Sequence, residues 1–156
     1  MLASDGVIGP AIPTPDAQEF KDYTFEYSLF THKKDWKEAN SFKPAYEFNY
    51  GLIGFQMPID KRRKGSLPPR FSFAEIKPES LILVVFKKAE DDNEIILRFF
   101  ETKGERTKGE ITLYKEPTAV KMVNLLEAEE GEVKYRGRKI KLDVKPFEIV
   151  SLKISF

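Results

Sequence analysis

The sequence predicts an all-β protein whose main body is an antiparallel β-sandwich of the small, immunoglobulin-like kind. Three observations carry this. Beyond residue 67, strand-like runs recur at Phe71–Ile76, Leu81–Lys87, Ile95–Phe100, Glu110–Tyr114, Ala119–Val123, Glu132–Arg136, Lys139–Val144 and Glu148–Ser155. Short strands spaced roughly 8–12 residues apart are the pattern of a sandwich. Between Ser80 and Phe100, two strongly apolar runs flank Glu90-Asp91-Asp92-Asn93; residues that tolerate a tight bend, set between runs that pack, predict a β-hairpin. Finally, Ile140, Leu142 and Val144 alternate with Lys139, Lys141 and Asp143, and Val150, Leu152 and Ile154 repeat the alternation, so each of these strands has one apolar and one wet face.

Two elements within this region carry further detail. Tyr135-Arg136-Gly137-Arg138 reads as a tight hairpin turn in which Gly137 supplies a positive φ. Leu81–Phe86 is apolar at every position, so both of its faces require cover, from the second sheet and from a neighbouring domain or partner.

The first part of the chain is less regular. Met1–Glu19 contains Gly6, Gly9, Pro10, Pro13 and Pro15 and is expected to be an extended, irregular arm. In Phe20–Thr31, the apolar Tyr23, Phe25, Tyr27 and Leu29 alternate with Thr24, Glu26 and Ser28, which predicts a half-buried strand. Asp35–Ala39 fits one helical turn capped by Asp35, and Ala45–Tyr50 resumes a strand-like alternation. This β segment is too short to complete a sheet of its own. Lys61–Ser66 and Pro68-Pro69 form a polar, Gly/Pro-marked hinge, so the expected division is 1–66 and 67–156.

Composition narrows the function. A chain of 156 residues is long enough to bury a core without cross-links, and it contains no cysteine. That composition, with 33% charged residues, suits a reducing cytoplasm or a heat-adapted protein, and a cytoplasmic location is the expectation. The formal net charge of +1 provides no field to draw the chain to nucleic acid or to an anionic membrane. No apolar stretch approaches the roughly 20 residues of a spanning helix, and no basic segment leads into an apolar one at Met1.

Several stretches, in order, carry a family resemblance: Pro13-Thr14-Pro15-Asp16; the aromatic run Tyr23–His32; Lys33–Asn49 with Asp35-Trp36; the Ser80–Phe100 hairpin; Val123–Glu127; and Lys145–Ile149 with Ser151-Leu152-Lys153. Together they resemble the C-terminal β-region of the glycoside hydrolase family 38 α-mannosidases. The resemblance implies that 1–66 is the terminal segment of that family's large β-sandwich and 67–156 its C-terminal small sandwich. It further implies that catalysis, the nucleophilic aspartate and the zinc ligands lie in a separate barrel domain. No catalytic residue carries over to this chain, which is expected to hold no cofactor and to be inactive alone. The implied partner is the catalytic barrel region, in the same or a separate chain. Open strand edges also allow a homo-oligomer.

Direct inspection agrees on catalysis. A glycosidase needs two carboxyl groups roughly 5–10 Å apart in contrasting environments, whereas Glu90-Asp91-Asp92 sit on a turn and Glu127, Glu129, Glu130 and Glu132 surround Gly131; both groups are expected to be solvated turns. His32 is the sole histidine and reads as a strand-end residue, not a zinc ligand. Lys61-Arg62-Arg63-Lys64 reads as a charged linker. Trp36 beside Asp35 and near Tyr46 is the candidate substrate-binding set, since an aromatic ring next to a hydrogen-bonding acid suits a pyranose, here a mannose-containing carbohydrate. The same residues fit the alternative of a free-standing carbohydrate-binding or protein-interaction sandwich module.

Overall fold

The computed structural model describes residues 7–8, 12–13, 21–56 and 65–156; the expected hinge cations Lys61–Lys64 and most of the expected arm lie outside them. The chain divides into two compact units, Met1–Thr31 and His32–Phe156. In the first, β1 (Val7–Ile8) pairs antiparallel with β2 (Ile12–Pro13). Residues 21–31 are not a strand: they have no regular backbone pairing, and Phe25, Tyr27 and Leu29 are more than four-fifths exposed. This corrects the strand expected over Phe20–Thr31. Period-two alternation specifies which face a strand would bury, but the strand itself needs a neighbouring ladder, and none of the described residues supplies one.

In the second unit, α1 (Phe42–Asn49) replaces the strand expected over Ala45–Tyr50. Pro44 falls in the first helical turn, where its missing N–H costs nothing. The run Phe42, Tyr46, Tyr50 has the i, i+4 spacing of one helix face, and the Tyr46 and Tyr50 rings stack with centroids 5.6 Å apart. The helical spacing overrides the short alternation.

The rest of the unit is the expected sandwich. Its strands are β3 (Ala74–Lys77), β4 (Leu81–Lys88), β5 (Ile95–Glu101), β6 (Thr107–Leu113), β7 (Ala119–Val123), β8 (Glu129–Glu132), β9 (Tyr135–Arg136), β10 (Lys139–Val144) and β11 (Ile149–Ser155). One sheet has the order β3-β6-β10-β9 and the other β4-β5-β11-β7-β8, all pairs antiparallel. Every strand-like run beyond residue 67 thus becomes a strand, with Glu132–Arg136 divided between β8 and β9. The β9–β10 turn is the tight one expected, with Gly137 at φ 55°.

The inner faces of both sheets meet in one core, in which Leu97, Phe99, Ile111, Ile140, Val144, Leu152 and Ile154 are fully buried. Alternation supplies these residues: Ile111 and Leu113 from β6, Ile140 and Val144 from β10, Val150, Leu152 and Ile154 from β11. Gly109 of β6 is a point of close approach, since a Cβ there would lie 2.8 Å from Leu81 Cδ1. A second, smaller cluster of Ala89, Ile96 and Val123 forms outside this core, with Val85 against it.

β11 departs from expectation. Its second face is not wet: Ser151 is buried and accepts a hydrogen bond from Arg98 Nε at 2.7 Å, and the Lys153 side chain is only 12% exposed. The strand runs through the middle of its sheet between β5 and β7, so long polar side chains of its neighbours close over it.

Candidate functional site

The sandwich leaves one side open where β3 and β4, the edge strands of the two sheets, lie beside each other. β4 pairs with β5 through a register shift between Leu83 and Val85, which leaves Val84 as the extra residue of a β-bulge. Along this edge Leu83, Val84 and Phe86 are about two-fifths exposed, and Phe71 and Phe73 slightly more. Phe73 reaches Phe86 across the gap, with ring centroids 6.3 Å apart, and packs edge-on against Phe71 and Tyr114. The Leu81–Phe86 run is therefore covered by the described residues on only part of its surface.

α1 is held at one end of this edge. Lys43 Nζ lies 3.3 Å from Glu79 Oε1, Asn40 Nδ2 donates to Glu79 Oε2, and the Tyr46 ring tilts against Phe100 of β5 at 5.9 Å. None of the helix's residues is buried. Grooves of about 370 Å³ open beside it: one lined by Tyr46, Glu47, Tyr50 and Ile82–Val84, the other by Phe42, Tyr46, Phe100, Glu101, Thr102, Phe147 and Ile149. Among the described residues, each groove thus has a single carboxylate in its lining, where glycoside hydrolysis needs two.

The residues picked out by sequence are distributed unevenly. Tyr46 lines both grooves; Asp35 and Trp36 line neither. Asp35 caps a turn, its Oδ1 accepting the Glu38 N–H at 2.8 Å and its carbonyl accepting that of Ala39, as its place ahead of the turn predicts. Trp36 is 44% exposed and carries Lys37 Nζ 5.5 Å from its ring centroid. Phe42, Tyr50 and Phe147 complete the grooves without having been singled out. The helical spacing was a usable signal for the first two; Phe147 sits on a turn with no such periodicity.

The acidic turns are more than solvated loops. Lys153 pairs with Asp92 and Glu94, fastening the β4–β5 turn to β11. The Lys153 ammonium holds the Asp92 carboxyl below the ordinary range, assisted by the Glu94 N–H. Glu127, at φ 67°, accepts the Glu90 N–H at 2.9 Å and pairs with Lys87 at 3.0 Å; those bonds, the N–H first, lower its pKa. Asp92 and Glu127 are thus structural ties, whereas Glu129, Glu130 and Glu132 lie on the exposed strand β8 and not on the turn expected. A family zinc would find a poor donor set here: there is one histidine and no cysteine, and no three His, Cys, Asp or Glu residues come together among the described residues. No metal-assisted step is assigned to this chain.

Comparison with known proteins follows the same lines. Residues 80–152 match the model of the glycosyl hydrolases family 38 C-terminal beta sandwich domain. The "Putative mannosylglycerate hydrolase" of Halalkalibacterium halodurans is 28% identical over 155 residues, which cover 98% of this chain. The chain spans 17% of that protein's length. The matched stretch, Ser80 to Leu152, holds β4 to β10 and the first four residues of β11, and it is similar to that family's C-terminal β-sandwich domain.

Proposed function

We propose that this chain is the non-catalytic C-terminal β-sandwich portion of an α-mannosidase, in which a catalytic barrel elsewhere, with its zinc, hydrolyses terminal α-mannosides. On this reading residues 1–66 belong to a larger sandwich, 67–156 form the small terminal one, and the pair buttresses the barrel, with Asp35, Trp36 and Tyr46 bordering the sugar site. The observation that carries it is the amount of apolar surface left bare: the Leu83, Val84, Phe86, Phe71 and Phe73 edge, and the more exposed Phe25, Tyr27, Leu29, Leu52, Ile53 and Phe55. Patches of this kind mark surfaces that are covered in the working molecule. The relative supports the same reading, because there the equivalent stretch is a small part of a much longer protein.

The test is complementation. The isolated chain is expected to leave an aryl α-mannoside intact, and mixing it with a barrel-containing portion of a family 38 enzyme lacking its own C-terminal β-region is expected to restore hydrolysis. Robust hydrolysis by the chain alone would overturn the proposal.

A further inference from the structure

We infer that the ionised carboxylate of Glu101 is a conformational anchor that holds two turns together, fixes Phe147 in a left-handed backbone conformation and so shapes the aromatic groove beside α1. Glu101 ends β5 and is fully buried, a placement a carboxylate accepts only when its oxygens are well satisfied. Four backbone N–H groups satisfy them. Oε1 accepts from Lys103 at 2.8 Å; Oε2 accepts from Gly104 at 2.7 Å, Glu105 at 3.2 Å and Phe147 at 3.1 Å. Lys103, Gly104 and Glu105 belong to the β5–β6 turn, and Phe147 to the β10–β11 turn, 46 residues away in sequence.

The second turn depends on this bond. Phe147 stands at φ 56°, a region that strains a bulky L-residue and persists only where its surroundings impose it. Its ring lies over Gly104, itself at φ 72°, so closely that a Cβ at Gly104 would fall 2.5 Å from it. The residue remains 63% exposed and forms a wall of the groove with Phe42, Tyr46, Phe100 and Ile149. A solvent-facing aromatic side chain held in a strained conformation by a buried charge is a feature that packing alone does not require.

The anchor is sensitive to protonation. Burial disfavours the charge, but the four N–H groups outweigh it and hold the Glu101 pKa below the ordinary carboxylate range. A depressed pKa means that the stabilisation is complete above the unfolded-state value and is lost as pH falls through the lower folded-state value. The other charged groups on the surrounding turns and helix are Lys103, Glu105 and Arg106 on its own turn, Lys145 paired with Glu148 on the β10–β11 turn, Glu79 on the turn before β4, and Lys43, paired with Glu79, and Glu47 on α1. Protonation of Glu101 turns one acceptor oxygen into a donor facing N–H groups, so the two turns part and Phe147 relaxes from the groove wall.

Amide hydrogen exchange of the full chain, with a carboxyl-carbon NMR titration, tests this. Protection of the Lys103, Gly104, Glu105 and Phe147 amides is expected to fall about tenfold or more, in step with the Glu101 carboxyl signal and below the ordinary carboxylate range, while Leu97 and Leu152 stay protected. Glu101→Gln is expected to show the released pattern at neutral pH, with Phe147 shifts leaving the left-handed region. Should that variant not fold, the wild-type titration decides. A Glu101 carboxyl that titrates in the ordinary range, or whose titration leaves those four amides unchanged, would overturn the inference.

Discussion

The five-stranded sheet has two edges, and they are built from opposite materials. β8, at one end, is Glu129-Glu130-Gly131-Glu132, exposed at every position, and Glu129 pairs with Lys121 of β7 at 2.8 Å. β4, at the other, is Leu-Ile-Leu-Val-Val-Phe before it reaches Lys87 and Lys88. Both edges carry a register shift, at Met122/Val123 against β8 and at Leu83/Val85 in β4, and bulges and charge are the usual means of blunting a strand edge. The β8 edge combines one such shift with three glutamates in its four residues. The β4 edge has a bulge and two lysines at one end, with apolar side chains between them and the core. One edge is charged and exposed at every position; the other leaves apolar side chains bare.

The largest difference between the edges is expected from truncation. Leu81 opens β4 and is 5% exposed within the main core, so Leu81→Ala should cost about 2–4 kcal/mol in urea unfolding. Glu130→Ala on β8 should change stability by less than about 0.5 kcal/mol. Equal costs at the two positions would show that β8 is more deeply integrated than its exposure indicates.

A smaller difference is expected at the glycines. Gly109 faces Leu81 and lies within reach of Val144, where an added Cβ would be 2.8 Å from the Leu81 methyl and 3.5 Å from Val144 Cγ2. Gly109→Val should therefore overpack the β4 side by about 1–3 kcal/mol. At Gly131 of β8 an added Cβ meets nothing within 4 Å, and Gly131→Ala should stay within about 0.5 kcal/mol of the parent. The same unfolding measurement reads both, and a tolerated valine at Gly109 would mean that β4 gives way more easily than the core around it.

The sequence made most of the sandwich legible because its strands carry their own signal. Ile140/Leu142/Val144 and Val150/Leu152/Ile154 declare both a strand and a buried face, and Gly137 declares the turn before them. The failures share a cause: each depended on what lies beside the segment. Tyr23–Leu29 alternates as cleanly as β10, yet only β10 has β6 and β9 to pair with. Ala45–Tyr50 alternates over too short a span to outweigh the Phe42, Tyr46, Tyr50 spacing. Of the candidate site, Tyr46 was legible as an aromatic worth noticing. Its grooves were not, because Phe100, Phe147 and Ile149 reach them from strands and turns far along the chain. Glu101 was invisible for the same reason: nothing local marks it as the carboxylate that four distant or turn-bound N–H groups will enclose.

The smallest expected effect on stability is also the sharpest test of what the β4 edge is for. Val84 is the bulged residue and 42% exposed, so a lysine there extends into water without opening the core, and Val84→Lys should shift the unfolding free energy by less than about 1 kcal/mol. If the edge is finished for contact, that charge should nevertheless suppress concentration-dependent self-association in sedimentation velocity, because an apolar edge without its partner covers itself with whatever is available. The matching change at the other edge, Glu130→Val, adds an isolated apolar residue to a strand that remains charged on both sides, and should leave self-association unchanged. Association that ignores both substitutions would place the sticky surface elsewhere, with Phe25, Tyr27 and Leu29 the next residues to change.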